Sequence, residues 1–224
     1  MGNTVHEHHL LVSRTARYYS LGEPGPATRQ LWLVCHGYGQ LAGRFLRHFE
    51  SLDDGSRVIV APEGLSRFYL SESPAERRVG ASWMTREDRL AEIEDYLRYL
   101  DAVHDDVRGG ISSGPVSVHA IGFSQGAATV SRWAALGKTH VDRLVLWGGE
   151  FPPDLDLTPV MVAQRLRSAR LTLVYGRADQ LITPKVVREI AERLRASGVP
   201  YEEMPFDGGH DLDEGIVRQL ADRE

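Results

Sequence analysis

From about residue 30 onward, short apolar runs rich in β-branched residues alternate with longer segments of helical period. This alternation is typical of βα units, which build a mostly parallel sheet with helices on both faces. The runs are apolar almost throughout, as expected for strands that are buried on both faces. We therefore predict an α/β fold with strands at 30–35 (QLWLVC), 57–61 (RVIVA), 116–121 (VSVHAI), 143–147 (RLVLW) and 171–175 (LTLVY), and a weaker sixth strand at 201–206.

Two of the intervening segments carry the clearest helix signals. Thr85 is well placed to cap the first helix, and Thr183 followed by Pro184 is typical of the start of the second, which ends before Gly198. Each segment carries a single apolar stripe, as expected for a helix that packs on a sheet. The stripes consist of Leu90, Ile93, Leu97, Leu100 and Val103 in the first, and of Val187, Ile190 and Leu194 in the second.

Two further stretches are less regular. Residues 9–12 and 17–21 have the composition of a small antiparallel hairpin at the edge of the sheet. Residues 65–82 show too little periodicity for a helix or a strand, and we expect an irregular loop near the functional site, because long loops in compact domains are often functional. No repeat or linker divides the chain, so residues 1–224 are expected to form a single domain.

The composition excludes several classes of protein. Hydrophobic residues make up 42% of the chain and charged residues 25%, which is ordinary for a globular protein. The formal charge is -5 with both signs mixed along the chain, so we expect no nucleic-acid partner. No apolar stretch approaches the roughly 20 residues that span a bilayer. The single cysteine and the lack of a secretory leader pattern predict a cytoplasmic location.

The run GFSQG at residues 122–126 follows the third predicted strand and leads into a helical segment. A serine on a tight strand-to-helix turn has unusual backbone angles, and small residues two places before and after it prevent clashes. Gly122 and Gly126 occupy these places around Ser124. The pattern predicts a nucleophile elbow, and a glycine-rich connection with an incidental serine is the alternative.

A serine hydroxyl is a poor nucleophile at neutral pH and needs an imidazole that a carboxylate orients. Where a serine stands in such an elbow, the acid and then the histidine follow it along the chain. Asp179 lies in the turn after the strand at 171–175, and His210 follows two glycines after the last strand. We predict Ser124, Asp179 and His210 as a catalytic triad, with Glu150 as the second candidate for the acid. The alternatives are an ordinary turn residue at Asp179 and a helix cap at His210.

The negative oxygen of a tetrahedral intermediate needs backbone N–H donors. The residue after the nucleophile supplies one of them, which indicates the Gln125 amide. The second is expected from the loop after the first long strand, where Tyr38 lies between two glycines in the run HGYG. The sequence therefore predicts an oxyanion hole formed by Tyr38 and Gln125.

Other reactive side chains have structural interpretations. His36 lies at a strand end beside a glycine and is expected to brace the loop, while Cys35 and His119 are expected in the core. The histidines at positions 6, 8 and 9 suggest a metal site, but no acidic or cysteine partner lies at ligand spacing, so we expect no metal. The catalytic interpretation needs no cofactor.

With these residues assembled, the sequence resembles the phospholipase/carboxylesterase family of serine hydrolases, which includes acyl-protein thioesterases and small bacterial esterases. The resemblance runs from residue 31 onward, and it implies an α/β-hydrolase fold with the nucleophile, acid, base and oxyanion amides at the positions already identified. It rests on CHGYGQ at 35–40, APEG at 61–64, the tryptophan at 83, GFSQGA at 122–127, GRADQLITP at 176–184 and GGHDL at 208–212.

The resemblance implies cleavage of carboxylic ester or thioester bonds in small or medium acyl substrates, through an acyl-enzyme on Ser124. Four apolar residues are expected to line the substrate pocket: Trp83, Met84, Phe151 and Leu181. Two departures from the family lie near that pocket. Tyr38 replaces a leucine-like residue, and the run GGEFP at 148–152 puts the charge of Glu150 where an acyl chain would rest.

Several alternatives stay open. Too few residues separate the strand at 143–147 from the next helix for a large lid domain, so an open cleft is expected. Dienelactone-hydrolase-like or peptidase activity on the same scaffold is one alternative function, although the former uses cysteine in the elbow. A non-catalytic ligand-binding homologue is the other. The sequence does not determine the leaving group or the acyl length. It does not determine the oligomeric state either, and a homodimer is one possibility.

Overall fold

The computed structural model describes residues 4–73, 77–112 and 114–223. Its strands are β1 (Tyr18–Leu21), β2 (Gln30–Cys35), β3 (Arg57–Pro62), β4 (Ser66–Tyr69), β5 (Val79–Ser82), β6 (Ser117–Phe123), β7 (Arg143–Trp147), β8 (Arg170–Gly176) and β9 (Tyr201–Phe206). Its helices are α1 (Ala42–Phe45), α2 (Arg89–Gly109), α3 (Gln125–Leu136), α4 (Val160–Ser168), α5 (Pro184–Ala196) and α6 (Glu214–Asp222), with a 3-10 helix over Leu46–Leu52.

Seven strands form one sheet in the order β1-β3-β2-β6-β7-β8-β9. The edge strand β1 is antiparallel to β3, and every other pair is parallel. All six strands predicted from apolar runs are present, with ends that differ by no more than two residues. The mostly parallel sheet is confirmed.

The sheet is covered on both faces, as predicted. Alternate residues of β2 divide between two cores, because successive side chains of a strand point to opposite faces. Leu31 and Leu33 pack in the core beneath α2 to α5, whereas Trp32 and Val34 pack in the core beneath α1, the 3-10 helix and α6. Both cores are fully buried around β2. Residues 148–159, between β7 and α4, form an irregular loop with no helical lid.

The predicted N-terminal hairpin is wrong. Only β1 forms, and it pairs with β3, with Tyr18 opposite Pro62 and Leu21 opposite Ile59. Residues 9–12 are exposed and lie outside regular structure. Pairing with β3 satisfies the backbone groups on one edge of β1, and those on the other edge can bond to water because the strand is exposed or half-buried.

The irregular loop predicted at 65–82 is also wrong in part. Strands β4 and β5 form a separate antiparallel pair, with Ser66 opposite Ser82 and Phe68 opposite Gly80. Each strand has only four residues, and β4 is exposed or half-buried throughout. Strands this short show no apolar periodicity, which is why the sequence pattern gave no signal. Residues 74–76 of this stretch lie outside the described residues.

The two helix signals have different outcomes. Helix α5 begins at Pro184 after Thr183, and Gly198 follows its end with a φ of 64°. Helix α2 begins at Arg89 and not beside Thr85, whose backbone N–H donates instead to the Glu92 carboxylate. None of the helices in the described ranges combines the length and the apolar character that crossing a membrane requires.

Candidate active site

Ser124 stands at the junction between β6 and α3, with a φ of 53° and a ψ of -117°. It is one of two non-glycine residues with positive φ in the described part of the chain. Its N–H donates to Trp147 O on the neighbouring strand at 2.9 Å, which holds the turn against β7. Strained backbone at a residue with a reactive side chain is typical of a functional site. The predicted elbow is present.

The glycines on either side of Ser124 are required by close backbone contacts. A Cβ on Gly122 would lie 2.1 Å from Gly126 O, and a Cβ on Gly126 would lie 2.1 Å from Cys35 O. Both contacts are with backbone atoms, which no side-chain rotation relieves. Strands β6 and β2 can therefore pack this closely against α3 only because both positions lack a side chain.

Asp179 and His210 come together at the carboxyl ends of β8 and β9. His210 Nδ1 lies 2.8 Å from Asp179 Oδ2, and Asp179 Oδ1 accepts the N–H groups of Leu181 and Ile182 at 2.7 and 2.9 Å. The Asp179 side chain is 1% exposed and that of His210 is 23% exposed. The last helix is capped by Asp213 and not by His210, so the helix-cap alternative is wrong.

The protonation state of this pair follows from its contacts. Burial alone would raise the pKa of Asp179, but hydrogen bonds from Ile182 N–H, from His210 and from Leu181 N–H outweigh it and lower the pKa below its usual value. Asp179 is therefore ionised at neutral pH and can only accept hydrogen bonds. His210 consequently carries its proton on Nδ1, which leaves Nε2 as the basic nitrogen.

The imidazole lies beside the elbow. Its ring centroid is 4.9 Å from that of Phe123, the residue before Ser124, and a Cβ on Gly148 would lie 3.4 Å from His210 Nδ1. Within the described residues no hydrogen bond joins the Ser124 hydroxyl to His210. Such bonds are often long in enzymes without substrate and shorten in the substrate complex.

The loop after β2 lies against the elbow on its other side. A Cβ on Gly37 would lie 3.2 Å from Ser124 Cβ. Among the described residues, neither the Tyr38 N–H nor the Gln125 N–H has a hydrogen-bond acceptor. Two free backbone donors flanking a strained serine are what an oxyanion hole requires.

Two glutamine side chains hold this arrangement, and the sequence analysis assigned a role only to the backbone amide of Gln125. Gln40 Oε1 accepts the Gly37 N–H at 2.7 Å and so closes the loop that carries Tyr38. The side chain of Gln125 accepts the Trp83 N–H at 3.0 Å and donates to Met84 O at 2.8 Å. The β4–β5 pair adds two backbone bonds to the same loop, Gly39 N–H to Ala81 O and Ala81 N–H to Gln40 O. No sequence pattern predicts these contacts, because their partners lie far apart along the chain.

His36 braces the loop after β2, here named the oxyanion loop because it carries the predicted donor Tyr38, and is fully buried. Its Nε2 accepts the Gly64 N–H at 3.0 Å and its Nδ1 lies 2.8 Å from Gly37 O. Burial lowers the pKa of His36, so the ring is neutral and donates from Nδ1. Cys35 is also fully buried, and burial raises the pKa of its thiol well above the usual value. The thiol is therefore protonated and unreactive.

The four residues expected to line a substrate pocket lie at different depths. Trp83 and Phe151 are buried, Met84 is half-buried and Leu181 is 65% exposed. The Trp83 indole donates to His36 O, so this ring also supports the oxyanion loop from below. Glu150 is exposed at the start of the loop after β7.

The expectation that the N-terminal histidines lack acidic neighbours is wrong. His9 Nε2 lies 3.2 Å from Glu7 and 3.1 Å from Asp88, and these three residues are close enough to hold a metal ion. All three are exposed, and exposed acidic groups are common without an ion. The cluster lies outside the elbow and the Asp179–His210 pair.

The fold agrees with that of known hydrolases. Maize acyl-protein thioesterase 2 matches 93% of this chain over 99% of its own, at 17% identity and a TM-score of 0.71. A Mesorhizobium loti carboxylesterase matches 96% over 99%, at 21% identity and a TM-score of 0.69, and a Bacillus cereus carboxylesterase matches 92% over 92%, at 14% identity and 0.67. No curated protein sequence matches the chain at a significant level.

The covered parallel sheet and these structural similarities define an α/β-hydrolase, as the sequence motifs indicate. The model of the serine hydrolase (FSH1) family matches residues 32–212, which include Ser124, Asp179 and His210. The chain belongs to this family, and it is a hydrolase.

The elbow contacts predict a sharp difference between two glycine substitutions. Gly126→Ala should lower the free energy of unfolding by about 3 kcal/mol or more, because the new methyl group meets the Cys35 carbonyl. Gly109→Ala, where a Cβ meets nothing within 4 Å, should change it by less than about 1 kcal/mol. Urea unfolding of both variants measures the difference, and equal effects would show that the elbow is not tightly packed.

The Asp179–His210 contact predicts a spectroscopic signature. In proton NMR, the His210 Nδ1–H should give a resonance far downfield, because it donates to a buried carboxylate. Asp179→Ala should remove this resonance, and Glu150→Gln should leave it in place. A downfield signal that survives Asp179→Ala would place the proton elsewhere.

Proposed function

We propose that this hydrolase cleaves carboxylic ester or thioester bonds through an acyl-enzyme on Ser124. The observation that carries the proposal is the hydrogen-bonded Asp179–His210 pair beside the strained serine. The order serine, acid, histidine along the chain matches that of α/β-hydrolase triads. In this role Ser124 is the nucleophile, His210 the general base and Asp179 the group that orients it.

In the first step, His210 Nε2 takes the proton from Ser124 Oγ as the oxygen attacks the carbonyl carbon of the substrate. The carbonyl oxygen becomes negative and accepts the N–H groups of Tyr38 and Gln125, which have no other acceptor among the described residues. The bond to the alcohol or thiol then breaks, and His210 returns the proton to this leaving group. Asp179 stays ionised throughout.

In the second step, water attacks the acyl-serine while His210 removes its proton, and the acid product leaves with Ser124 restored. The nucleophile, the base, the acid and the oxyanion donors in this cycle all belong to the chain. We therefore propose that the reaction needs no metal or cofactor. The single cysteine does not take part, because its thiol is buried and protonated.

The proposed substrates carry small or medium acyl groups. Support comes from the carboxylesterases and the acyl-protein thioesterase among the structurally similar proteins, and from the lack of a helical lid over residues 148–159. Trp83, Met84, Phe151 and Leu181 remain the predicted pocket residues. A panel of p-nitrophenyl esters, acyl thioesters, lactones and peptides tests this assignment against lactone-cleaving and peptidase activity.

The remaining expectations of the sequence analysis stay predictions. We expect residues 1–224 to form a single domain, the protein to be cytoplasmic, and nucleic acid not to be a partner. A homodimer is one possible oligomeric state.

Replacing the nucleophile tests the mechanism directly. Ser124→Ala should lower kcat for a p-nitrophenyl ester by about 10⁴-fold or more and abolish labelling by a fluorophosphonate, since the attacking oxygen is lost. Ser168→Ala, an exposed serine elsewhere, should leave both unchanged. A non-catalytic ligand-binding protein would show no labelling in the wild type either.

The identity of the acid is tested by a matched pair of isosteric changes. Asp179→Asn should lower kcat by roughly 10³- to 10⁴-fold, because the amide no longer fixes the charge and tautomer of His210. Glu150→Gln should change kcat by less than about twofold, since Glu150 is exposed and is not in the His210 contact. Steady-state kinetics on the same ester measure both, and the reverse result would assign the acid to Glu150.

A further inference from the structure

Arginines gather at the amino-terminal edge of the sheet, the edge opposite Ser124. Arg57, Arg143 and Arg170 are the first residues of β3, β7 and β8. In the parallel register His119 pairs with Arg143, and Arg143 pairs with Arg170. Residues paired in this way project to the same face of a sheet. One face of this edge therefore carries a row of basic side chains.

Two open cavities, of about 540 and 680 Å³, lie along this edge and share Arg170. Arg29, Arg57 and His119 line the first, and Arg143, Arg167 and Arg223 line the second. The carboxylates in the two linings are Asp54 and Glu202. Six arginines and two carboxylates thus line the two cavities, in a chain whose formal charge is -5. The two carboxylates form ion pairs with Arg57 and Arg223.

Four of the six arginines donate to backbone carbonyls, and one of them, Arg143, is buried and donates to Leu220 O and Arg223 O. Arg29 donates to the carbonyls of Pro26 and Thr28, and Arg167 donates to Ser197 O at 3.0 Å. Carbonyl acceptors fix a guanidinium in place without cancelling its charge. The Arg170 side chain is exposed, and it forms no hydrogen bond or ion pair with any described residue. Its donors are therefore available to a ligand.

The positive charges of the row contribute to the lowered pKa of a neighbouring histidine. The pKa of His119 is lowered to about 3, first by burial and then by the positive charges of Arg143, Arg170 and Arg57. His119 stacks on Trp32 at 4.8 Å and its Nδ1 has no partner among the described residues. Burial is the larger cause of the lowered pKa, so His119 is neutral and adds no charge of its own to the row.

We propose that this arginine row is a binding site for a small anion that carries two or more phosphate groups. Guanidinium groups bind phosphate through paired hydrogen bonds, and cavities of this size suit a small molecule. From β3 to β8 the row crosses four strand spacings, roughly 19 Å, so one phosphate cannot reach all of it.

The site is separate from the catalytic one. His119, which is level with Arg143 and Arg170 in the sheet, lies five residues before Ser124, which corresponds to roughly 17 Å. A ligand in the row cannot contact Ser124 or His210. The inference therefore does not depend on the proposed esterase activity.

The experiment is a calorimetric titration of the full chain with inorganic triphosphate at low ionic strength. The wild type should bind it, and Arg170→Gln should weaken the affinity about tenfold, through the loss of one charge-assisted contact. Arg188→Gln removes an exposed arginine on α5 and is the matched control, which should bind as the wild type does. Ser124→Ala should also bind normally.

Thermal unfolding of both arginine variants checks that they fold, as expected for exposed side chains. The proposal is overturned if the wild type does not bind triphosphate, or if Arg170→Gln and Arg188→Gln behave alike. Anionic phospholipid vesicles form a second arm. Binding to vesicles without binding to triphosphate would also overturn it and would assign the row to a membrane surface.

Discussion

The backbone at Ser124 is the constraint on which the rest of the site depends. A serine with a φ of 53° is held in place because α3 lies so close to β6 and to β2 that Gly122 and Gly126 have no room for a side chain. The hydrogen bond from Ser124 N–H to Trp147 O ties this turn to the neighbouring strand. The strain therefore rests on the packing of neighbouring elements.

The parallel sheet brings the other groups to the same edge. Asp179 and His210 follow β8 and β9, and the oxyanion loop follows β2, so groups distant along the chain meet where the strands end. Hydrogen bonds from two backbone N–H groups and from His210 outweigh the effect of burial and keep Asp179 ionised, which in turn fixes the His210 proton on Nδ1. The protonation state of each group thus depends on its neighbour, and His210 Nε2 is the nitrogen that remains free to accept a proton.

The sequence predicts the parts of this structure that local rules govern. Apolar runs identified the six main strands, and the elbow motif identified Ser124, because both depend on residues close together along the chain. The sequence analysis missed the β4–β5 pair and the side-chain contacts of Gln40 and Gln125. These contacts join separate segments through individual polar groups, which leave no periodic pattern in the sequence. The arginine row was not predicted, because the net charge of the chain is negative and the two arginines are distant in sequence. The register of β7 and β8 brings Arg143 and Arg170 together.

The central claim is that Ser124 carries the acyl group during turnover. Rapid mixing of the enzyme with a p-nitrophenyl ester, followed by acid quenching and mass spectrometry of the peptide that contains Ser124, tests it most directly. The account predicts a burst of p-nitrophenol close to one equivalent, with the acyl mass on that serine. Turnover without any acyl mass on Ser124, in a quench fast enough to capture the burst, would contradict it.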